Sequence, residues 1–230
     1  MPKGPPPSEQ RIVLEKVSWR KYEELLAEME PQRTSRFTYV RGRLEMMTPL
    51  EEHERCHKLI ESLILVLADE MGLRVAGFKS PTLKRADLQL GVELDTAYYI
   101  QHEAQMRQAS RIDLMADPPP DLVLEVALNK STLDKLPIYA ELGIPEIWRY
   151  TSKPGEEFWK GQFQIFCLAD GVPGGQQPKR DRPYQEVPHG LAFPFLSASR
   201  VLGFIEESDS LGLMTALRNL RQWVEPIITS

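Results

Sequence analysis

Seven residues constrain this chain most. Residues 121–127 read Asp-Leu-Val-Leu-Glu-Val-Ala, and Pro118, Pro119 and Pro120 stand directly before them. Consecutive prolines force an extended approach, so a strand is expected here. A strand apolar at successive positions is covered on both faces and therefore central, which calls for helices as well as a sheet. Glu125 interrupts that apolar run. A carboxylate in such a place costs several kcal/mol unless it is paired or binds a cation. Two readings follow: a glutamate salt-bridged to a neighbour or turned to solvent at an edge, or a metal ligand.

The rest of the chain supplies the elements that this strand needs. Ser18 can cap a helix over 19–29, with Tyr22, Leu25, Leu26 and Met29 at helical spacing. Residues 36–47 read as a hairpin turning at Arg41-Gly42. The strongest helix covers 51–71, where Cys56, Leu59, Ile60, Leu63, Leu67 and Met71 form a stripe that Gly72 ends. Short strands are expected over 73–78, 81–84 and 97–100. Asp134 can cap a helix over 135–142 that tolerates Pro137 in its first turn, with Gly143 and Pro145 ending it. Strands follow over 146–150 and 162–168, then a Gly/Pro-rich loop over 170–182 and a closing helix over 211–224. No repeat or composition break appears. The expected architecture is one α/β domain over 11–230, a mixed central sheet flanked by helices, behind a disordered tail over 1–10.

Asp95 stands just before the 97–100 strand. Adjacent strands can hold two carboxylates ~5 Å apart. Asp95 and Glu125 could then share one Mg²⁺ or Mn²⁺, hard ions that take oxygen ligands and keep several waters. A lysine beside such a pair can orient the attacking water and stabilise charge on phosphorus. Lys135, on the first turn of the helix after the strand, has a stem long enough to reach back. Lys130 competes at shorter range, and for both the plain alternative is a solvated surface charge.

These residues carry a resemblance. The segment Gly91-Val92-Glu93-Leu94-Asp95-Thr96-Ala97-Tyr98-Tyr99-Ile100 resembles the G-x-E-P-D-x-x-F/Y-Y-I stretch of a bacterial family named "putative restriction endonuclease", within the PD-(D/E)XK nuclease superfamily. Pro119 to Val126 is similar to its P-P-D-L-V-x-E-I strand. The run from Ser131 through Lys135, Tyr139, Gly143 and Glu146 to Tyr150 is similar to its S-x-x-x-K-x-x-x-Y-x-x-x-G-V-x-E-x-W-x-Y continuation. The matches together span about residues 19 to 225. The resemblance implies a restriction-endonuclease-like fold, a metal-dependent endonuclease acting on nucleic acid, and catalytic roles for Asp95, Glu125 and Lys135. It makes Asp95 and Glu125 the metal ligands, with the Val126 carbonyl as a third oxygen. Leu94 departs from the family's proline, and Ala127 stands where a standard E-x-K lysine would be, so Lys135 must serve from the next helix.

His53-Glu54-Arg55-Cys56-His57 matches the zinc-protease pattern H-E-x-x-H, but Glu52, Arg55 and Lys58 give it a charged context and no third ligand is placed. The plain reading is a helix first turn whose acids suit the macrodipole. Another places His53 or Glu45 around the Asp95–Glu125 site. Lys84, Arg85, Arg107 and Arg111 are candidate phosphate contacts or ordinary surface charge. Tyr98, Tyr99, Trp148 and Tyr150 read as sheet packing. Cys56 and Cys167 read as buried thiols, too few for a disulfide scaffold or a cysteine zinc site. A net charge of −5 counts against a broad electrostatic nucleic-acid binder, yet a local basic strip can coexist with an acidic total. That charge and the missing E-x-K lysine keep an inactive interaction module of the same fold open. No apolar run approaches the ~20 residues of a membrane span, and the polar start lacks a signal peptide's apolar stretch. The expectations are a cytoplasmic protein, nucleic acid (DNA before RNA) as partner, and self-association as a homodimer.

Overall fold

A computed structural model describes residues 9–29, 34–128, 133–153, 159–169 and 184–229. Two sheets meet at a shared bend. The first is antiparallel and five-stranded, in the order β1 (Gln10–Leu14), β3 (Arg43–Thr48), β2 (Arg36–Val40), β6 (Leu90–Glu93), β5 (Thr82–Arg85). The second has six strands, in the order β11 (Tyr184–Val187), β10 (Gln162–Leu168), β9 (Glu146–Thr151), β8 (Leu122–Ala127), β7 (Thr96–Tyr99), β4 (Ala76–Lys79). It is mixed: β8 and β9 run parallel and its other pairs are antiparallel. The apolar strand is central, as its composition requires.

The bend joins the sheets through two chain segments. Strands β4 and β5 are separated by Ser80-Pro81, and β6 and β7 by Leu94-Asp95. Since β4 pairs with β7 and β5 with β6, both arms of one long hairpin change sheets at the same level. Ser80 N–H donates to the Asp95 carbonyl at 2.9 Å and Leu94 N–H to the Pro81 carbonyl at 3.1 Å. Pro81 lacks a ladder donor and suits a break between strands. This bend is what sets Asp95 at the edge of the second sheet.

Helices complete the layers. Helix α1 (Trp19–Met29) is capped by the Ser18 hydroxyl, which accepts from Lys21 N–H at 3.2 Å. Its Tyr22 and β2's Tyr39 stack at 4.7 Å with Trp19 against both rings. Tyr22 also presses on a glycine: a Cβ at Gly91 would lie 2.2 Å from its hydroxyl oxygen. Gly91→Ala should therefore cost about 2–3 kcal/mol by overpacking. Urea denaturation checks this, and an unmoved midpoint would contradict the packing. On the second sheet, α2 (Glu51–Glu70), α5 (Ala198–Leu211) and α6 (Leu213–Ile228) cover the face made by Leu122, Leu124, Val126, Trp148 and Tyr150. The opposite face, with Val123, Ala97, Tyr99 and Ile147, is covered by Ile138, Tyr139 and Leu142 of the segment around α4 (Leu136–Glu141). Period-2 alternation puts Glu125 on Val123's side, toward α4. The short helix α3 (Glu103–Met106) packs Met106 into the same layer.

Several expectations shift. The hairpin turn is as expected, with Arg41 and Gly42 both at positive φ. Glu9 and Gln10, expected in the disordered tail, are ordered, with Gln10 paired to Thr48 and Glu9 ion-paired to Arg11 at 2.7 Å, while residues 1–8 lie outside the described residues. Strands β1, β6 and β11 and helix α5 had no clear sequence signal. Strand β6 is only four residues, Leu-Gly-Val-Glu, all buried, too short for a readable period. The 170–182 loop and Lys130 lie outside the described residues.

Candidate active site

Asp95 and Glu125 sit on neighbouring strands. Thr96 pairs with Leu124, and extending that register by one step sets Asp95 opposite Glu125, a separation of roughly 5 Å between Cα atoms. The ladder reaches into the side chain: Val126 N–H donates to Asp95 Oδ2 at 2.6 Å. Both carboxylates are nearly enclosed, Asp95 at 5% and Glu125 at 7% exposure.

Cations meet each of them. Lys135 Nζ lies 3.1 Å from Glu125 Oε1, so the stem reaches back from the start of α4 to the strand. Asp134 holds that turn, its carboxylate accepting from Leu136 N–H at 3.1 Å. Arg149, paired directly with Glu125 across β8 and β9, brings Nη2 to 3.0 Å and Nε to 3.1 Å of Oε2. Burial pushes the Glu125 carboxyl up, but Lys135 and Arg149 outweigh it and hold it down at about 2. Glu125 is thus ionised at neutral pH. On the other carboxylate, Arg36 of β2 forms an ion pair with Asp95 Oδ1, and His53 Nε2 lies 3.3 Å from Oδ2. Burial lowers the Arg36 pKa, while Glu54 and Glu93 pull it back up. Sequence reasoning missed Arg36 and Arg149. Arg149 had a signal like that of Glu125, a lone cation inside the otherwise aromatic and β-branched stretch of the strand Glu-Ile-Trp-Arg-Tyr-Thr. Arg36 had none, since it arrives from the other sheet.

Other acids around the sheet are held differently. Asp121 accepts from the N–H groups of Ile100 at 2.7 Å and Gln101 at 2.9 Å, which ties the turn after β7 to the start of β8. Glu146 accepts from Trp148 Nε1 at 2.6 Å and from the Leu191 and Ala192 N–H groups, both at 2.7 Å. Glu45 is bound by Arg11 at 2.9 Å within the first sheet. Backbone and indole donors lock Asp121 and Glu146 into structural roles, whereas charged side chains surround Asp95 and Glu125.

The two histidines of the H-E-x-x-H run are buried on α2 but serve different partners. His53 turns to Asp95 and Arg36. His57 Nε2 lies 2.6 Å from the Thr96 hydroxyl, which itself donates to the Asp95 carbonyl at 2.8 Å. One hydroxyl proton serves one acceptor, so His57 Nε2 is the donor. Burial pushes His57 down to about 4, leaving it neutral. This arrangement steadies the bend at Asp95 and does not favour a zinc-peptidase pair. Lys84, Arg85 and Arg107 each pair with a surface carboxylate, Glu23, Asp87 and Glu103. Tyr98, Tyr99, Trp148 and Tyr150 are fully buried core residues.

Among the described residues, no group of three or more His, Cys, Asp or Glu side chains is set to hold a metal ion. Two carboxylates would need backbone oxygen and water to complete a shell, which suits Mg²⁺. No helix among them is long and apolar enough to cross a membrane.

A mixed sheet with opposed acids on two central strands, and a lysine returning from the next helix, marks a protein of the restriction-endonuclease-like class. The profile of the family Uma2, described as "Putative restriction endonuclease", matches residues 19–199, and the chain belongs to that family. Among solved structures, one similar chain is a "putative nuclease belonging to DUF820" from Anabaena variabilis, with 14% identity and a TM-score of 0.48, covering 80% of this chain and 97% of that one. No curated protein matches.

Proposed function

We propose that this chain is a metal-dependent endonuclease that hydrolyses phosphodiester bonds of DNA, with Asp95 and Glu125 as ligands of Mg²⁺ or Mn²⁺. The observation that supports it most is Lys135 Nζ at 3.1 Å from Glu125, on a strand whose register sets Asp95 opposite. The donor set fits a hard ion: two ionisable oxygen ligands, with the Val126 carbonyl as the third. Bound there, the ion would lower the pKa of a coordinated water and offset phosphate charge. Lys135 would orient that water from the Glu125 side and stabilise charge developing on phosphorus. Arg149 keeps Glu125 ionised and in place. Arg36 holds Asp95 in place through its ion pair, and the two arginines and the lysine give a phosphate a basic setting inside an acidic protein. A homodimeric cutting form and a cytoplasmic setting belong to this proposal.

A second reading is a non-catalytic nuclease-fold module that binds nucleic acid or protein. It draws on Arg36, Lys135 and Arg149 already neutralising both acids within the fold. Calorimetry separates the two. The parent should bind Mn²⁺ and cut mixed-sequence duplex DNA, and Asp95→Asn should give no measurable binding heat at matched folding. A parent that binds no metal, even with DNA present, supports the module instead.

A further inference from the structure

Glu54 belongs to the H-E-x-x-H run, and neither the fold nor the proposed chemistry accounts for it. It stands in the first turn of α2 with its side chain 34% exposed. Its carboxylate faces three basic groups. Arg36 Nη2 lies 3.1 Å from Oε1, His53 Nδ1 3.6 Å from the same oxygen, and Lys79 Nζ 3.8 Å from Oε2. His53 first, and then Arg36, hold the carboxyl down at about 2, so Glu54 is ionised at neutral pH.

The Arg36 guanidinium therefore spans two carboxylates, with Nη1 on Asp95 Oδ1 and Nη2 on Glu54 Oε1. A planar fork has room for one acid on each side. Two further acids exert their charge on Arg36 but have other donors. Glu93 accepts from the Phe37 N–H at 2.6 Å and the Thr82 hydroxyl at 3.1 Å, and Glu9 pairs with Arg11 at 2.7 Å. Both Asp95 oxygens are occupied in this state. The Val126 N–H, fixed by the strand, takes Oδ2, and Arg36 takes Oδ1. A divalent cation that approaches Oδ1 meets a guanidinium already there, and like charges in one site oppose each other. Arg36 is only 10% exposed, and an enclosed cation that loses its anion is costly. Glu54 is the acid already in contact that can keep Arg36 paired.

We infer that Glu54 is a positioning residue for the metal site, the carboxylate that retains the Arg36 guanidinium when a divalent cation takes Asp95. This rests on the metal-nuclease reading above. Arg36 is then a latch on Asp95 and Glu54 is its catch. Glu54 acts through Arg36 and does not itself touch the ion. The arginine stays beside the site with its charge balanced.

The test is a double-mutant cycle on Mn²⁺ affinity in the full chain without nucleic acid, using Arg36→Met, Glu54→Gln and the two together. Affinity is read by calorimetry or, where binding is weak, from the rise of the urea midpoint with Mn²⁺ concentration. The metal-free urea midpoint confirms folding. Arg36→Met should bind Mn²⁺ roughly 10- to 100-fold more tightly than the parent, because the competing cation is gone. Glu54→Gln should bind roughly 10- to 100-fold more weakly, because the guanidinium loses its second anchor and holds Asp95 harder. In the Arg36→Met background, Glu54→Gln should change affinity by less than about 3-fold. Glu54→Asp, which keeps the charge, should recover part of the loss. If Arg36→Met fails to fold, Arg36→Gln completes the same cycle with an uncharged donor left beside Asp95. An equal loss from Glu54→Gln in both backgrounds overturns the inference, since Glu54 would then act on the ion directly. Parent-like affinity in Glu54→Gln overturns it as well. Mn²⁺ binding by neither the parent nor Arg36→Met removes the metal-nuclease reading and this inference with it, whereas binding with a Glu54 effect independent of Arg36 removes this inference alone.

Discussion

Glu125→Gln is expected to abolish cleavage and to destabilise the fold by about 3 kcal/mol at neutral pH. The two losses share one cause. The carboxylate anchors Lys135 at 3.1 Å and Arg149 at 3.0 Å, and a neutral amide leaves two enclosed cations without their anion. Glutamine keeps the size of the side chain, so no cavity is created. The carboxyl is lowered from its usual 4.5 to about 2, which corresponds to roughly 3 kcal/mol of preference for the ionised form. The sign is that of a depressed acid: its contribution is fully present above about pH 4.5 and is lost as pH falls through about 2. Urea titrations should therefore show a constant gap between parent and variant at neutral pH that closes toward about pH 2. A gap that persists unchanged in acid would show that the pairing is not its source. Retained metal-dependent cleavage would remove Glu125 from the site.

Lys135→Met separates catalysis from metal binding. Arg149 still grips Glu125 Oε2 in this variant, so the stability loss should be smaller than for Glu125→Gln. Mn²⁺ affinity should hold or improve, since a cation competing for Glu125 is gone. Single-turnover cleavage should fall about 100- to 1,000-fold, as when one preorganised donor is lost from a reacting centre. Parent-like cleavage would reduce Lys135 to a structural ion pair and return attention to Lys130. Metal binding lost together with the rate would mean that Lys135 acts by building the Glu125 geometry.

The family's profile and the mixed sheet agree with what local patterns suggest, and particular residues explain why. The run Leu122–Ala127 carries its own evidence, because consecutive apolar residues can only be satisfied by cover on both faces. Helix α2 carries its stripe over five turns and was readable for that reason. Lys135 is placed by a local chain of causes, a cap at Asp134 and a helix that starts beside the strand end. Strands β1 and β6 were not readable: one alternates weakly at a sheet edge, and the other is too short for a period. The five-stranded first sheet is not legible as a separate sheet for the same reason, since its existence depends on pairings between β1 and β3 and between β2 and β6 that no local pattern encodes.

By itself the sequence determined the central strand, its one acid, the lysine that follows and the covering helices α2, α4 and α6, but not α5. Those follow from burial and periodicity, which act on near neighbours in the chain. Only the tertiary structure decided how the charges balance. Arg36 reaches Asp95 across fifty-nine positions of sequence because one hairpin bends between two sheets. Arg149 meets Glu125 because β8 and β9 are parallel in that register. Electrostatic pairing depends on distance in space, and distance in space is what a linear pattern does not carry.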